Sequence, residues 1–326
     1  MMLPHRLFPL AGPAIALALL LSAPGLSLAQ GGEGGNDDYR TFHVGGKIEY
    51  GKIGDSYTAE LVMYLAGNQF MVMEELVQAF QRKHPEIKTV YVETIPPGQI
   101  LAQQILKQGQ INGQDTARNP DLYASVSYEH VKRLKKEGLM DEAMYYIHNK
   151  LELMVARGNP KRITGPRDLG RDDLVQSHPN PVNQGIFTFY GAEMLKMLGL
   201  WEKVTGGGKQ CFGCWAVPET VWFTARHHRE TPDRIEKGEA DVGIVWATEI
   251  AEAKKENRKV EGVTIPAPYD FAKEAVYVIG GLKTGRNSAN GRKFLDYLAG
   301  DAAQDIYAKY GFVKATPDER KLKPIP

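Results

Sequence analysis

From Ala59 onward, short apolar runs of strand length alternate with stretches of helical period, and this alternation restricts the architecture more than any other feature. Leu61 to Ala66 (LVMYLA) is continuously apolar, as expected of a strand buried on both faces. After Gly67-Asn68-Gln69 the period changes. Met73, Leu76, Val77 and Phe80 fall on one stripe of a helix predicted over about 70–83, and Pro85 punctuates its end. Thr89 to Thr94 predicts the next strand, Pro96-Pro97-Gly98 its turn, and Gln99 to Gln108 the next helix. Asp121 to Val126 then reads as a strand, and Tyr128 to Glu137 as a helix closed by Gly138. Such a β-α-β-α order calls for an α/β fold with an open, mostly parallel sheet flanked by helices.

A second unit starts near Lys150, where LELMVA is a strand and Gly158-Asn159-Pro160 a turn. It continues through Leu174-Val175, a helix over about 185–198, a cysteine loop, a helix over about 230–237 and the strand Val242 to Trp246. Ala275 to Ile279 (AVYVI) returns the chain to the first unit, and Gly291 to Tyr310 supplies surface helices. The expected division is two lobes. The first is discontinuous, 59–145 plus 265–320, and the second is 146–264. Crossings near 143–149 and 262–268 would then act as a hinge. Residues 30–58 are expected to be a Gly-rich flexible leader (QGGEGGNDD) followed by a weakly patterned hairpin.

The amino-terminal segment points to an extracytoplasmic location. His5 and Arg6 precede an apolar stretch from Leu7 to Leu21 that ends in Ser27-Leu28-Ala29, so residues 1–29 read as a signal peptide cleaved after Ala29. No cysteine lies near that point to carry a lipid, so a free periplasmic protein is expected. The chain has 40 basic and 39 acidic residues. This balance argues against a nucleic-acid or anionic-membrane partner held by bulk electrostatics. Any preference for anions must come from a local site.

In open α/β sheets ligands sit beyond the carboxyl ends of the strands, where helices begin and their first N–H groups point outward. Four segments meet that description: Gly67-Asn68-Gln69, Pro96-Pro97-Gly98, Asn183-Gln184-Gly185 and His227-His228-Arg229. The first two belong to one lobe and the last two to the other. Lobe closure would gather backbone N–H groups, the Asn68 and Gln69 amides and the Arg229 guanidinium around one anion. Asn68 and Asn183 read equally well as helix caps.

These segments also carry a family resemblance. It rests on Leu65-Ala66-Gly67-Asn68, Gly98 with its Gln-rich helix, Asn149-Lys150-Leu151 with Gly158-Asn159-Pro160-Lys161, Leu198-Gly199-Leu200-Trp201-Glu202-Lys203-Val204, GEADVGIVW from Gly238 to Trp246, and Phe294-Leu295 through Tyr310-Gly311-Phe312. In order and spacing this set resembles the periplasmic molybdate/tungstate-binding proteins of ABC transporters, which have the two-lobed type II periplasmic binding fold. The resemblance implies a monomeric binding protein, not an enzyme, that needs no cofactor or metal. It would close on a small tetrahedral oxyanion and deliver it to a membrane permease. Carried over, the ligand contacts are Asn68 and Gln69 at the first strand end, Pro97 and Gly98 at the second, Gln184-Gly185 and His228-Arg229 in the second lobe, and Trp246 as the aromatic. The chain departs from the family in two places. The serine usual at the second strand end is absent, and proline donates no N–H. Trp246 offers an indole where the family has a phenol. His228 with Arg229 would also suit a small carboxylate or another oxyanion.

The two cysteines, Cys211 and Cys214, leave other chemistry open. An oxidising compartment favours a disulfide between them, worth roughly 2 kcal/mol in the chain-entropy picture of so short a loop. Paired thiols at this spacing would also serve a thiol-disulfide oxidoreductase, in which the motif should open a helix. A zinc site would need a second histidine three to five residues beyond His227, and His228 is adjacent. Trp215, Trp222 and Phe223 read either as core or as the lining of an apolar ligand site.

Overall fold

A computed structural model describes residues 38–111, 113–182, 184–225 and 230–326. The expected signal peptide, residues 1–29, and its expected cleavage point therefore lie outside the described residues, as do Asn183, His227, His228 and Arg229.

The first lobe is built on a nine-stranded sheet. From one edge its strands are Val313–Lys314, Glu142–His148, Val276–Gly281, Leu122–Ser125, Leu61–Ala66, Thr89–Ile95, Tyr39–His43 and Ile48–Tyr50, with Lys323–Pro324 also pairing to Glu142–His148. Leu61–Ala66 is flanked by parallel partners on both sides, with Ala66 opposite Ile95 and Tyr64 opposite Tyr123. All six residues of this strand are buried. Leu61, Met63 and Leu65 pack into one apolar cluster while Val62 and Tyr64 pack into another, which is why the run is apolar at every position. On one face the helix Met73–Lys83 packs against Ser288–Leu298, where Phe80 meets Phe294 edge to face at 4.9 Å.

The sheet is mixed rather than mostly parallel, and the route of the chain explains it. Val276–Gly281 arrives from the second lobe and enters at the edge where the parallel strands end, Val278 lying opposite Ser125 and Gly281 opposite Leu122. A strand that enters from that edge must run antiparallel to its neighbours. Tyr39–His43 likewise runs antiparallel to Thr89–Ile95 and forms a hairpin with Ile48–Tyr50, so the segment read as a weak hairpin is part of the large sheet.

The second lobe holds a six-stranded sheet in the order Cys214–Val217, Val221–Phe223, Gln176–His178, Val242–Trp246, Leu151–Ala156 and Val260–Thr264. Gln176–His178 runs parallel to both of its neighbours, and the other pairings are antiparallel. The strand Gln176–His178 follows directly after Leu174-Val175.

The crossings differ from expectation. Most of 143–149 is the strand Glu142–His148 of the first sheet, so the chain passes between sheets at Asn149 and Lys150. The return runs over 265–275, because Val260–Thr264 still pairs in the second sheet. Two helices also depart from the α pattern. Residues Ile100–Gln108 and Ile186–Gly191 wind as π-helices, the first ended by Gly109 at φ 68°, where a Cβ would lie 2.5 Å from Arg118 Cγ. Both directly follow turns named above as candidate ligand seats, and π segments gather at functional sites. Among the described residues no helix is long and apolar enough to cross a membrane.

Candidate functional site

Ser125, Ala66 and Ile95 end three parallel, adjacent strands, so the turns that follow them share one edge of the first sheet. Gly67 brings two of these ends together. A Cβ there would stand 3.3 Å from both Ile95 C and Thr94 O, tighter than ordinary contacts allow. In the second sheet Trp246 ends its strand opposite Leu151, the first residue after the Asn149-Lys150 crossing. Val276 is opposite His148 at the cleft edge of the first sheet. The carboxyl edges of both sheets therefore meet the two crossings.

A hydrogen-bonded chain ties the first strand end to the second lobe through this hinge. Asn68, which is buried, donates its amide to the Tyr277 hydroxyl. Asn149 donates to the same hydroxyl at 3.3 Å and to Thr248 Oγ1 at 3.1 Å. Thr248 lies in the helix Ala247–Lys255 that follows Trp246. Burial holds the Tyr277 phenol well above its ordinary range, so it stays protonated and neutral. Asn68 thus stands at the first strand end, with its side chain engaged to the hinge. Gln69 is placed otherwise. It is fully buried, and its Oε1 accepts from the Tyr146 hydroxyl at 2.9 Å and from Tyr307 at 2.8 Å, both core residues. Its side-chain oxygen serves the first-lobe core, and its Nε2 is buried with no hydrogen-bond partner among the described residues.

At the second strand end the Pro97 carbonyl accepts from the Tyr123 hydroxyl at 2.8 Å. Gly98 N–H is the first donor this turn offers, since Pro96 and Pro97 have none. Gly98 lies against His130, a residue absent from the sequence-derived set: a Cβ at 98 would be 3.6 Å from His130 Cε1. His130 Nδ1 in turn sits 2.7 Å from Ser125 Oγ and 3.0 Å from the Tyr123 hydroxyl.

In the second lobe the Gln184 carbonyl accepts from the N–H groups of Phe187 and Thr188, both at 3.0 Å, and so closes the first turn of the helix behind it. Gly185 lies at that helix start, and a Cβ there would press on the Phe189 ring at 3.2 Å. Trp246 is buried beneath Tyr190, the rings meeting edge to face at 5.4 Å, and Tyr190 contacts Phe271 of the return crossing at 5.8 Å. Burial, with the nearby Glu274 charge, pushes the Tyr190 phenol up to about 12. His178 is a buried neutral imidazole, held down to about 3 by desolvation. Its Nδ1 accepts the Ile244 N–H at 3.2 Å and its Nε2 pairs with Gln176 Oε1 at 2.9 Å, so its role is structural.

The rival readings start from the cysteines and the aromatic cluster. Cys211 and Cys214 are joined in a disulfide, and Cys214 opens a strand, not a helix. Among the described residues no group of three or more potential ligands could hold a metal. Trp215 and Trp222 pack on each other at 5.3 Å with the Arg234 guanidinium over both rings, and Phe223 is fully buried in the lobe core. This aromatic cluster is packing.

Two α/β lobes with facing carboxyl edges and a double crossing between them have the architecture of a hinged, two-lobed binding protein. The chain belongs to the bacterial extracellular solute-binding proteins, the family whose profile matches residues 61–313. It is 26% identical over 195 residues to YvgL of Bacillus subtilis, described as an ABC transporter substrate-binding lipoprotein; the match covers 59% of this chain and 66% of that protein. It is 23% identical over 269 residues to the molybdate-binding protein ModA of Haemophilus influenzae, covering 78% of this chain and 90% of the relative. Among solved structures, the sulfate-binding protein SubI of Mycobacterium tuberculosis superposes with a TM-score of 0.58 at 18% identity, over 80% of this chain and 88% of that one.

Proposed function

We propose that this protein is the periplasmic binding component of an ABC transporter, exported by cleavage after Ala29, that captures a molybdate- or tungstate-like oxyanion as a monomer without covalent chemistry. The observation that carries the reading is the chain Asn68, Tyr277, Asn149, Thr248, which couples a strand-end anion seat to the hinge and to the opposite lobe. An oxyanion held at Gly67-Asn68 and Gly98 from the first lobe, and near Gln184-Gly185, His228-Arg229 and Trp246 from the second, favours the closed arrangement. A ligand that binds one arrangement better shifts the population toward it, and that population is what a permease recognises. Closure removes water, so that neutral N–H donors replace the anion's hydration shell in a low-dielectric cleft. The ModA and YvgL relationships support the transport role, and ModA supports the choice of oxyanion.

A thermal-shift screen of the chain from Gln30 against molybdate, tungstate, sulfate, phosphate and small carboxylates tests the reading. A ligand present at a hundred times its Kd adds about 2.7 kcal/mol of stability. A shift with molybdate or tungstate that Asn68→Ala abolishes is the expected result. A shift only with a carboxylate would reassign the cargo, and no shift with any anion would refute the function.

A further inference from the structure

The second strand end poses a chemical problem that the rest of the first lobe answers. Pro96 and Pro97 withhold two N–H groups where an oxyanion would seek donors, and no hydroxyl residue stands in the turn. Thr94, the nearest hydroxyl before it, is buried and its Oγ1 has no partner among the described residues. His130 lies directly beside the turn, from the third strand end of the same edge. Its Nδ1 is anchored by Ser125 Oγ and the Tyr123 hydroxyl. Ser125 Oγ accepts the Ser127 N–H at 3.0 Å, and Tyr123 spends its proton on Pro97 O, so the anchor is itself fixed to both turns. The ring cannot swing away without breaking these contacts.

Its other edge is open. Gly98 does not have a positive φ, and a Cβ there would meet His130 only at van der Waals distance, 3.6 Å from Cε1 and 3.8 Å from Nε2. Neither conformation nor close packing therefore demands glycine at 98. What the missing side chain does is leave Nε2 uncovered, and no hydrogen bond from described residues reaches that nitrogen.

We infer that His130 is a specificity-determining residue of the anion site, its Nε2–H supplying at the second strand end the hydrogen bond that Pro96 and Pro97 cannot. This rests on the oxyanion-binding function proposed above. The consequence is that binding takes up a proton. Burial lowers the His130 imidazole, so the ligand-free ring is neutral at neutral pH. The titratable group facing it is Tyr123, which burial keeps protonated; Glu129, one residue earlier on its own helix, is exposed and pairs with Lys132 at 2.7 Å. A dianion placed at Nε2 favours the imidazolium, which donates from both nitrogens, Nδ1–H to the two hydroxyl oxygens and Nε2–H to the ligand. Affinity then rises as pH falls through the imidazole range.

The test is calorimetry with molybdate, tungstate and sulfate, titrated separately into the wild-type chain, His130→Gln and His130→Ala at about pH 6 and about pH 8. Each titration is repeated in two buffers of different ionisation heat. The wild type should bind at least several-fold tighter at the lower pH with net proton uptake. His130→Gln keeps a donor without a titrating group, and should bind with no proton uptake and no pH dependence. His130→Ala should weaken binding about tenfold, the worth of one hydrogen bond to a charged group. Melting curves identify a variant that fails to fold, and the glutamine variant then decides. Binding by the wild type with the same affinity, pH profile and proton uptake in His130→Gln overturns this inference and leaves the function standing. No oxyanion binding by the wild type overturns both.

Discussion

Replacing Glu93 with glutamine should flatten the dependence of stability on pH. Glu93 sits mid-strand with Tyr64 opposite it on one side and Tyr39 on the other, and it is fully buried. Its Oε1 accepts from Gln104 Nε2 at 2.6 Å, while Oε2 has no partner among the described residues. Burial is the main cause that pushes this carboxyl up to about 8, with the Asp38 charge adding to it. In the unfolded chain the group ionises near its ordinary 4.5. Between about 4.5 and about 8 the unfolded state has released its proton and the folded state has not, so stability falls as pH rises through this window and levels off above it. At about 1.4 kcal/mol for each pKa unit, the full loss approaches about 5 kcal/mol. Glu93→Gln preserves the shape and the Gln104 contact without the charge. Urea melts of both proteins from about pH 5 to about pH 9 should show the variant gaining on the wild type by several kcal/mol, entirely within that window. Parallel profiles would refute the claim that Glu93 is a buried neutral acid.

Three further outcomes follow from the hinge and the disulfide. Tyr277→Phe removes the acceptor shared by Asn68 and Asn149, and should cost about 1–3 kcal/mol in thermal melts and weaken oxyanion binding several-fold. Gly311 has φ +87°, and a Cβ there would lie 3.0 Å from Ala251 Cβ and 3.3 Å from Thr248 Cα in the second-lobe helix. Gly311→Ala should therefore lose about 1–3 kcal/mol of stability and alter ligand affinity, measured by melting and calorimetry, because it forces the lobes apart at the back of the hinge. Changing Cys211 and Cys214 to serine removes a three-residue staple on a far sheet edge. It should cost roughly 2 kcal/mol and leave oxyanion affinity unchanged; a loss of binding would show that the loop has a role in the site.

What the sequence disclosed was what local pattern can carry. Leu61–Ala66 was legible because a strand covered on both faces must be apolar throughout, and Asn68 because a short polar break after such a strand marks a helix start. Strand direction was not legible: nothing within Ala275 to Ile279 records that the chain re-enters from the cleft edge and runs antiparallel. The strand Glu142–His148 was missed for a related reason, its alternation being blurred by buried Tyr146, whose hydroxyl donates to Gln69, and by buried His148, whose Nε2 meets Glu319. The π winding of Ile100–Gln108 leaves apolar spacing close to that of an α-helix. The burial of Gln69 was not legible, because polar residues at strand ends usually face out and its partners Tyr146 and Tyr307 come from 77 and 238 residues away. His130 was hidden within a helix whose remaining pattern reads as a solvated face, and its meaning depends on Gly98 from another element.

Calorimetric titration of the anion-free chain with tungstate, molybdate and sulfate, beside Asn68→Ala, tests the central claim most directly. The proposed function predicts saturable binding of one oxyanion per chain, weakened in the variant because Asn68 links the first strand end to the hinge. Absence of heat with every oxyanion, or binding that Asn68→Ala leaves intact, would contradict an anion site at the meeting of the two sheet edges.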